Sequence, residues 1–67
     1  MQNKIIVKIS PDDETVGYIY MPNELDDDMR KVVKTIDLSD VIKDYKGVSV
    51  YLDFNKDGVL IGIEIVG

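Results

Sequence analysis

Five residues in the last third of the chain have the types and spacing of a calcium-binding loop. They are Asp53, Asn55, Asp57, Gly58 and Glu64. In an EF-hand, carboxylate and amide oxygens at these positions bind Ca²⁺, and the glycine allows a sharp turn between them. The spacing by itself therefore indicates a metal site.

The apolar pattern around this run argues against calcium binding. An EF-hand loop lies between two helices, whereas residues 48–54 and 59–65 both alternate with the period of a strand. In an extended segment Glu64 would lie roughly 20 Å from the turn, so we expect it not to share an ion with Asp53. The Asp-Gly pair is typical of a tight hairpin turn. We therefore expect a hairpin, with no bound metal and no other cofactor.

The composition lacks the residue types on which most nucleophilic and acid–base catalysis depends. The 67 residues include no Cys and no His. This excludes Cys-His and Ser-His dyads, disulfides and the usual zinc sites. A pair of catalytic carboxylates would need a cleft that raises one pKa, which a sheet of this size does not favour. We therefore expect a protein that is not an enzyme.

The charge balance excludes a further class of partner. The chain has 8 basic and 13 acidic residues, for a net charge of -5. Nucleic-acid backbones are bound by clustered Lys and Arg, so we expect no nucleic-acid partner. No apolar run approaches the roughly 20 residues of a membrane-spanning helix. Without cysteine or a secretion signal, we expect a cytoplasmic protein with no membrane partner.

The periodicity of the apolar residues predicts a single domain, residues 1–67, with the order β-β-β-α-β-β. Alternation at period two predicts five strands, at 4–9, 15–21, 29–36, 48–54 and 59–66. The first two strands form a hairpin, with Pro11 in the turn. The fold class is therefore a small α+β protein, in which an antiparallel sheet of about five strands carries one short helix.

The helix is predicted between the third and fourth strands, where the period changes. Its apolar face consists of Leu38, Val41, Ile42 and Tyr45. Asp37 stands at the N-cap position, and Gly47 is suited to a left-handed residue after the last turn. The pattern predicts about two turns, stabilised by packing of this apolar face rather than by helix propensity.

The short chain makes self-association an expectation. At about 25 cal/mol per Å² of apolar burial and about 1.5 kcal/mol of entropy per residue, a domain of this size is barely stable alone. We predict a homo-oligomer, a dimer or larger. The predicted interface residues are tyrosines on one side of the second strand and apolar residues on the second face of two strands. They are Tyr18, Tyr20, Ile19, Met21, Leu60 and Val66.

The acidic stretch 24–28 leaves three alternatives open. Asp26, Asp27 and Asp28 are solvated loop charges, a surface that complements a basic protein, or oxygen ligands of a divalent metal ion. The second alternative would make the protein antitoxin-like or immunity-like, covering a basic partner. The leading expectation is a non-enzymatic binding or interaction module that self-associates.

Two segments of the chain resemble the family known as domain of unknown function 2283. Residues 51–65 contain Asp-x-Asn-x-Asp-Gly followed by Gly-Ile-Glu-Ile, and residues 10–20 contain a Pro-Asp-Asp turn before a Tyr-Ile-Tyr strand. The middle differs, because family members usually join the third and fourth strands by a tight turn. The resemblance implies a small, mostly β protein of prokaryotic or phage type, without a known activity.

Overall fold

The protein folds as one antiparallel sheet with a single short helix. The computed structural model describes residues 4–22 and 25–67. The elements are β1 (Ile6–Ile9), β2 (Val16–Tyr20), β3 (Lys34–Asp37), α1 (Leu38–Val41), β4 (Ser49–Phe54) and β5 (Leu60–Val66). The spatial order of the strands is β1-β2-β5-β4-β3. This confirms the predicted α+β class and the order β-β-β-α-β-β.

The last strand occupies the centre of the sheet. β5 pairs with β2 on one side and with β4 on the other, and both pairings are antiparallel. β5 is also the longest strand, and three isoleucines alternate along it. Such β-branched residues are favoured in central strands, where both neighbours pack against them. The hairpin of β1 and β2 therefore joins the rest of the sheet through β5.

The third strand begins later than its apolar pattern predicted. β3 starts at Lys34, whereas the prediction placed its start at residue 29. The preceding residues form turns instead, because the Asp26 carboxylate accepts a hydrogen bond from the Met29 amide and the Asp26 carbonyl accepts one from the Arg30 amide. Aspartate commonly stabilises turns in this way. The predicted start of the strand was therefore wrong.

The helix is half as long as predicted. Asp37 is the N-cap, as expected, and its Oδ1 accepts hydrogen bonds from the Ser39 amide at 3.0 Å and hydroxyl at 2.8 Å. The helix nevertheless ends after one turn, since Ile42 returns to an extended conformation. Val41 and Ile42 remain exposed, so the predicted apolar face lacks the packing that would extend a short helix.

The left-handed residue after the helix also differs from the prediction. Asp44 takes this conformation, with φ of 66°, and Gly47 lies beyond it with φ of 141°. The Tyr45 hydroxyl donates to the Val48 carbonyl at 2.7 Å, which closes the connection to β4.

No helix in the described ranges 4–22 and 25–67 has the length and apolarity to cross a membrane.

The molecule is one sheet thick. Its Cα atoms span 34 × 29 × 16 Å. All five strands belong to one sheet, and α1 is the one regular element of the described residues outside it. Among the described apolar residues only Ile61, with 6% of its surface exposed, is buried. The side chains of the inner strands are mostly half-buried, whereas those of β1 are exposed on both faces.

Candidate functional site

The strand register collects aliphatic side chains on one face of the sheet. Residues paired across antiparallel strands lie on the same face. One row crosses all five strands, and it consists of Val7, Ile19, Ile63, Leu52 and Ile36. A neighbouring row contains Ile9, Gly17, Ile65 and Val50. We call the surface formed by these two rows, together with Ile61, the aliphatic face.

The β1 edge of the aliphatic face is exposed to water. Val7 and Ile9 on β1 have 58% and 60% of their surface exposed. Neither of the two rows contains a charged residue, and Lys34 lies opposite Phe54 at the border. Large continuous apolar surfaces of this kind usually mark an interaction site in a soluble protein.

The opposite face carries the aromatic and ionisable side chains. One of its rows crosses the five strands as Lys8, Tyr18, Glu64, Tyr51 and Asp37. The next row consists of Ile6, Tyr20, Gly62, Asp53 and Thr35. The rings of Tyr18 and Tyr20 meet edge to face, with centroids 4.7 Å apart. We call these two rows the tyrosine face.

A buried carboxylate connects the strands of the tyrosine face. Asp53 on β4 has 6% of its surface exposed. Its Oδ2 accepts a hydrogen bond of 2.8 Å from the Tyr18 hydroxyl on β2, and its Oδ1 accepts one of 2.8 Å from the Thr35 hydroxyl on β3. Hydrogen bonds to an ionised carboxylate are stronger than those between neutral groups. Both oxygens of this buried group are therefore satisfied within the protein.

Gly62 makes the hydrogen bond between Tyr18 and Asp53 sterically feasible. This glycine lies on β5, between the strands that carry the two partners. A Cβ atom at Gly62 would overlap the Tyr18 hydroxyl and ring. Glycine in a strand interior is ordinarily unfavourable, and it often marks a close approach of another group. Here the tyrosine ring crosses the glycine backbone to reach the carboxylate.

The same surroundings raise the pKa of the Tyr18 hydroxyl above its ordinary value. Loss of hydration is the largest cause, followed by the hydrogen bond to Asp53 and the negative charge of that carboxylate. Each of these disfavours the phenolate. Tyr18 is therefore a neutral hydrogen-bond donor across the pH range in which most proteins are folded.

Three of the calcium-loop residues, Asn55, Asp57 and Gly58, form the hairpin turn between β4 and β5, whereas Asp53 and Glu64 lie within those strands. Asn55, with 3% of its surface exposed, accepts hydrogen bonds at Oδ1 from the amides of Asp57 and Val59. Its Nδ2 donates to the Met29 carbonyl at 2.9 Å. Gly58 has φ of 79°, which a glycine tolerates readily. The side chain of Asn55 thus holds the turn together and ties it to the segment before β3.

Strand pairing brings Glu64 closer to Asp53 than its distance along the strand from the turn suggests. Asp53 pairs with Gly62, so Glu64 is its diagonal neighbour on the tyrosine face, at about 7–8 Å. Both carboxylate oxygens of Asp53 are engaged in hydrogen bonds, one with the Tyr18 hydroxyl and one with the Thr35 hydroxyl. Within residues 4–22 and 25–67, no three acidic side chains are grouped so that they could hold a metal ion.

The six predicted interface residues fall on different surfaces. Ile19 lies on the aliphatic face, whereas Tyr18, Tyr20 and Val66 lie on the opposite side. Met21 donates its amide to the Ile61 carbonyl, and Leu60 sits at an irregularity in the register opposite Phe54. Ile19 and Val66, each expected on the second face of its own strand, therefore lie on opposite sides of the sheet.

Sequence reasoning missed several members of the aliphatic face as interface residues. They are Val7, Ile9, Ile36, Val50, Leu52, Ile61, Ile63 and Ile65. The available signal was the alternation of apolar residues within each strand. It separates the two faces of a strand, but it does not show which faces of different strands lie on the same side of the sheet. The pairing register supplies that information.

Two of the acidic side chains before β3, those of Asp26 and Asp28, have partners inside the protein. The Asp28 carboxylate lies 2.9 Å from the Lys56 ammonium and 3.9 Å from that of Lys31. Asp26 accepts from the Met29 amide. Glu24 lies outside the described residues. A basic partner for Asp26, Asp27 and Asp28 stays a prediction.

Comparison with known proteins gives no relative. No protein-family model, curated protein or solved structure matches the chain. The resemblance to the domain of unknown function 2283 family therefore stays a prediction from the two sequence segments. Any function has to be argued from the residues of this chain.

The contact of the Tyr18 ring with Gly62 predicts that substitutions at these two residues have non-additive effects on the free energy of unfolding. Gly62→Ala should lower the free energy of unfolding by about 2–4 kcal/mol, because the methyl group displaces the Tyr18 ring and breaks its hydrogen bond to a buried carboxylate. In a Tyr18→Ala background the same change should cost less than about 1 kcal/mol. Urea denaturation at one protein concentration measures both. An equal cost in the two backgrounds would contradict the contact.

The raised pKa of Tyr18 predicts a loss of stability at alkaline pH. Above about pH 10 the unfolded chain releases the Tyr18 proton while the folded protein retains it, so rising pH favours unfolding. The Tyr18→Phe variant should lack this contribution. The measurement is the difference in unfolding free energy between the two proteins from pH 8 to 11, which cancels the other titrating groups. A difference that stays constant over this range would refute the assignment.

The hydrogen bonds of Asn55 predict that the turn depends on this side chain. Asn55→Ala should cost about 2–4 kcal/mol, because the Met29 carbonyl and two turn amides lose their partner. Asp57→Ala is the matched control in the same turn, where the exposed side chain should contribute less than about 0.5 kcal/mol. Thermal unfolding of the two variants distinguishes them, and equal losses would count against this role.

Proposed function

We propose that the protein is a small non-enzymatic interaction module that self-associates through its aliphatic face. The single observation that carries the proposal is the aliphatic row that crosses all five strands, from Val7 to Ile36, without a charged residue. Among the regular elements of the described residues, only the short helix α1 lies outside the sheet. A sheet usually buries its apolar face against another layer, and a second copy supplies such a layer.

The exposure of the aliphatic face supports a substantial apolar driving force for self-association. Val7 and Ile9 are more than half exposed in one copy. Burying an aliphatic side chain fully contributes about 1.5–3 kcal/mol, so a few such residues are enough to drive association. Two sheets can pack face to face with their aliphatic side chains interdigitating, as the layers of a β-sandwich do.

The size and charge of the face favour a second copy as the partner. The plane of the molecule measures 34 × 29 Å, which is comparable with the roughly 800 Å² that each partner buries in a standard interface. The carboxylates of Asp53 and Glu64 lie on the opposite face, so pairing two aliphatic faces does not bring them together. A two-fold axis allows the same surface to serve both copies.

A non-enzymatic role is supported by the chemistry of the buried groups. Asp53 has both oxygens engaged, and the Tyr18 hydroxyl is its donor. The chain also lacks His and Cys. We further propose a cytoplasmic location, because the absence of cysteine is compatible with a reducing compartment.

The proposal predicts that substitutions on the two sides of β1 have different effects. The wild-type protein should sediment as a dimer or larger species at micromolar concentration. Val7→Lys and Ile9→Lys should shift it to the monomer, because each places a charge in the apolar interface. Ile6→Lys is the matched control, since it adds the same charge to the same strand on the tyrosine face. It should leave the oligomer intact.

Sedimentation velocity separates the outcomes. A folded wild-type monomer at micromolar concentration would refute self-association. Dissociation by all three lysine substitutions would contradict the aliphatic face as the interface and would point to pairing along the exposed edge of β1. Circular dichroism of each variant verifies that the sheet is retained.

A further inference from the structure

Glu64 is a carboxylate at the centre of the tyrosine face. It lies on the central strand β5, directly between Tyr18 on β2 and Tyr51 on β4. Its side chain is half-buried by this position. Partial burial weakens the hydration of a charged group, so a carboxylate in such surroundings gains from a cationic partner.

No residue in the described ranges 4–22 and 25–67 supplies that partner. The Glu64 carboxylate makes no hydrogen bond or ion pair with them, because the Tyr18 hydroxyl is directed to Asp53. The ammonium of Lys8 lies instead over the Tyr20 ring, 5.9 Å from its centroid. Glu64 therefore differs from Asp53, whose oxygens are both satisfied.

We propose that the tyrosine face binds an arginine side chain of a basic protein segment, with Glu64 as the anion that receives the guanidinium. A guanidinium donates two parallel hydrogen bonds to a carboxylate and stacks on aromatic rings. The residues beside Glu64 are Tyr18 and Tyr51, which offer those rings. An open hollow of about 340 Å³ borders Glu64 and Tyr18, with Val16 and Pro11 in its wall.

Charge complementarity selects the kind of partner. The chain has a net charge of -5, and Glu64 is the central charged group of the row. Lys8 also lines the hollow, but it lies two strands away from Glu64, or roughly 10 Å, which is about the screening length at 0.1 M salt. A basic peptide is thus attracted both by the overall charge and by this carboxylate.

The partner site lies opposite the proposed self-association surface. The rows containing Glu64 and Ile63 point to opposite faces, since adjacent residues of a strand alternate. A dimer formed through the aliphatic faces leaves both tyrosine faces open. The binding of arginine is therefore independent of self-association, and the two can be tested separately.

The test is titration of the full chain with an acetylated hexa-arginine peptide at about 0.15 M salt, by calorimetry and by amide NMR shifts. Shifts are expected at residues 18, 51 and 64. Glu64→Gln should weaken binding roughly tenfold to a hundredfold, as expected when one partner of a close charge pair is lost. Asp57→Asn is the matched control, because it removes the same charge from an exposed turn. It should change the affinity less than about threefold.

A hexalysine peptide and a ring variant complete the test. Hexalysine has the same charge but no planar guanidinium, so it should bind several-fold more weakly. Tyr51→Leu should weaken hexa-arginine binding while the amide NMR shifts at Glu64 persist at high peptide concentration.

Three outcomes would each overturn the proposal. They are equal weakening of binding by Glu64→Gln and Asp57→Asn, equal affinity for the two peptides, and NMR shifts confined to residues 26–28. The Val7→Lys variant should bind as the wild type does.

Discussion

The hydrogen bond from Tyr18 to Asp53 joins two strands that are not neighbours in the sheet. The tyrosine ring crosses Gly62 on the intervening strand, and the carboxylate then accepts from Thr35 on the far edge. One carboxylate therefore links β2, β4 and β3 across β5. Because a buried carboxylate is costly unless its oxygens are paired, these contacts favour a single register for the four strands.

The two faces of the sheet divide the chemistry of the protein. The polar partners of Asp53 lie on the tyrosine face, and the two rows of the aliphatic face contain no polar side chain. Such a surface is stabilised by apolar burial alone, which is the basis of the self-association that we propose. The tyrosine face instead offers rings and the carboxylate of Glu64, which suit a cation. A single layer thus presents two surfaces with different requirements.

Local patterns explain the parts of the fold that were predicted correctly. The alternation within each strand, the Asp-Gly turn and the N-cap at Asp37 depend on neighbouring residues only. The errors occurred where longer-range contacts compete with the pattern. Asp26 stabilises a turn where apolar spacing favoured a strand, and the helix ends early because Val41 and Ile42 stay about half exposed or more. The role of Gly62 had no local signal at all.

The sequence by itself determined the element order, the two sides of each strand and the exclusion of His- and Cys-based chemistry. These properties follow from residue types and from periods of two to four residues. Only the tertiary structure decided that β5 is central, that the aliphatic sides of all five strands coincide, and that Tyr18 meets Asp53, 35 residues away. The physical reason is that strand order and register are set by pairing between distant segments, and a one-residue slip would exchange the faces of a strand.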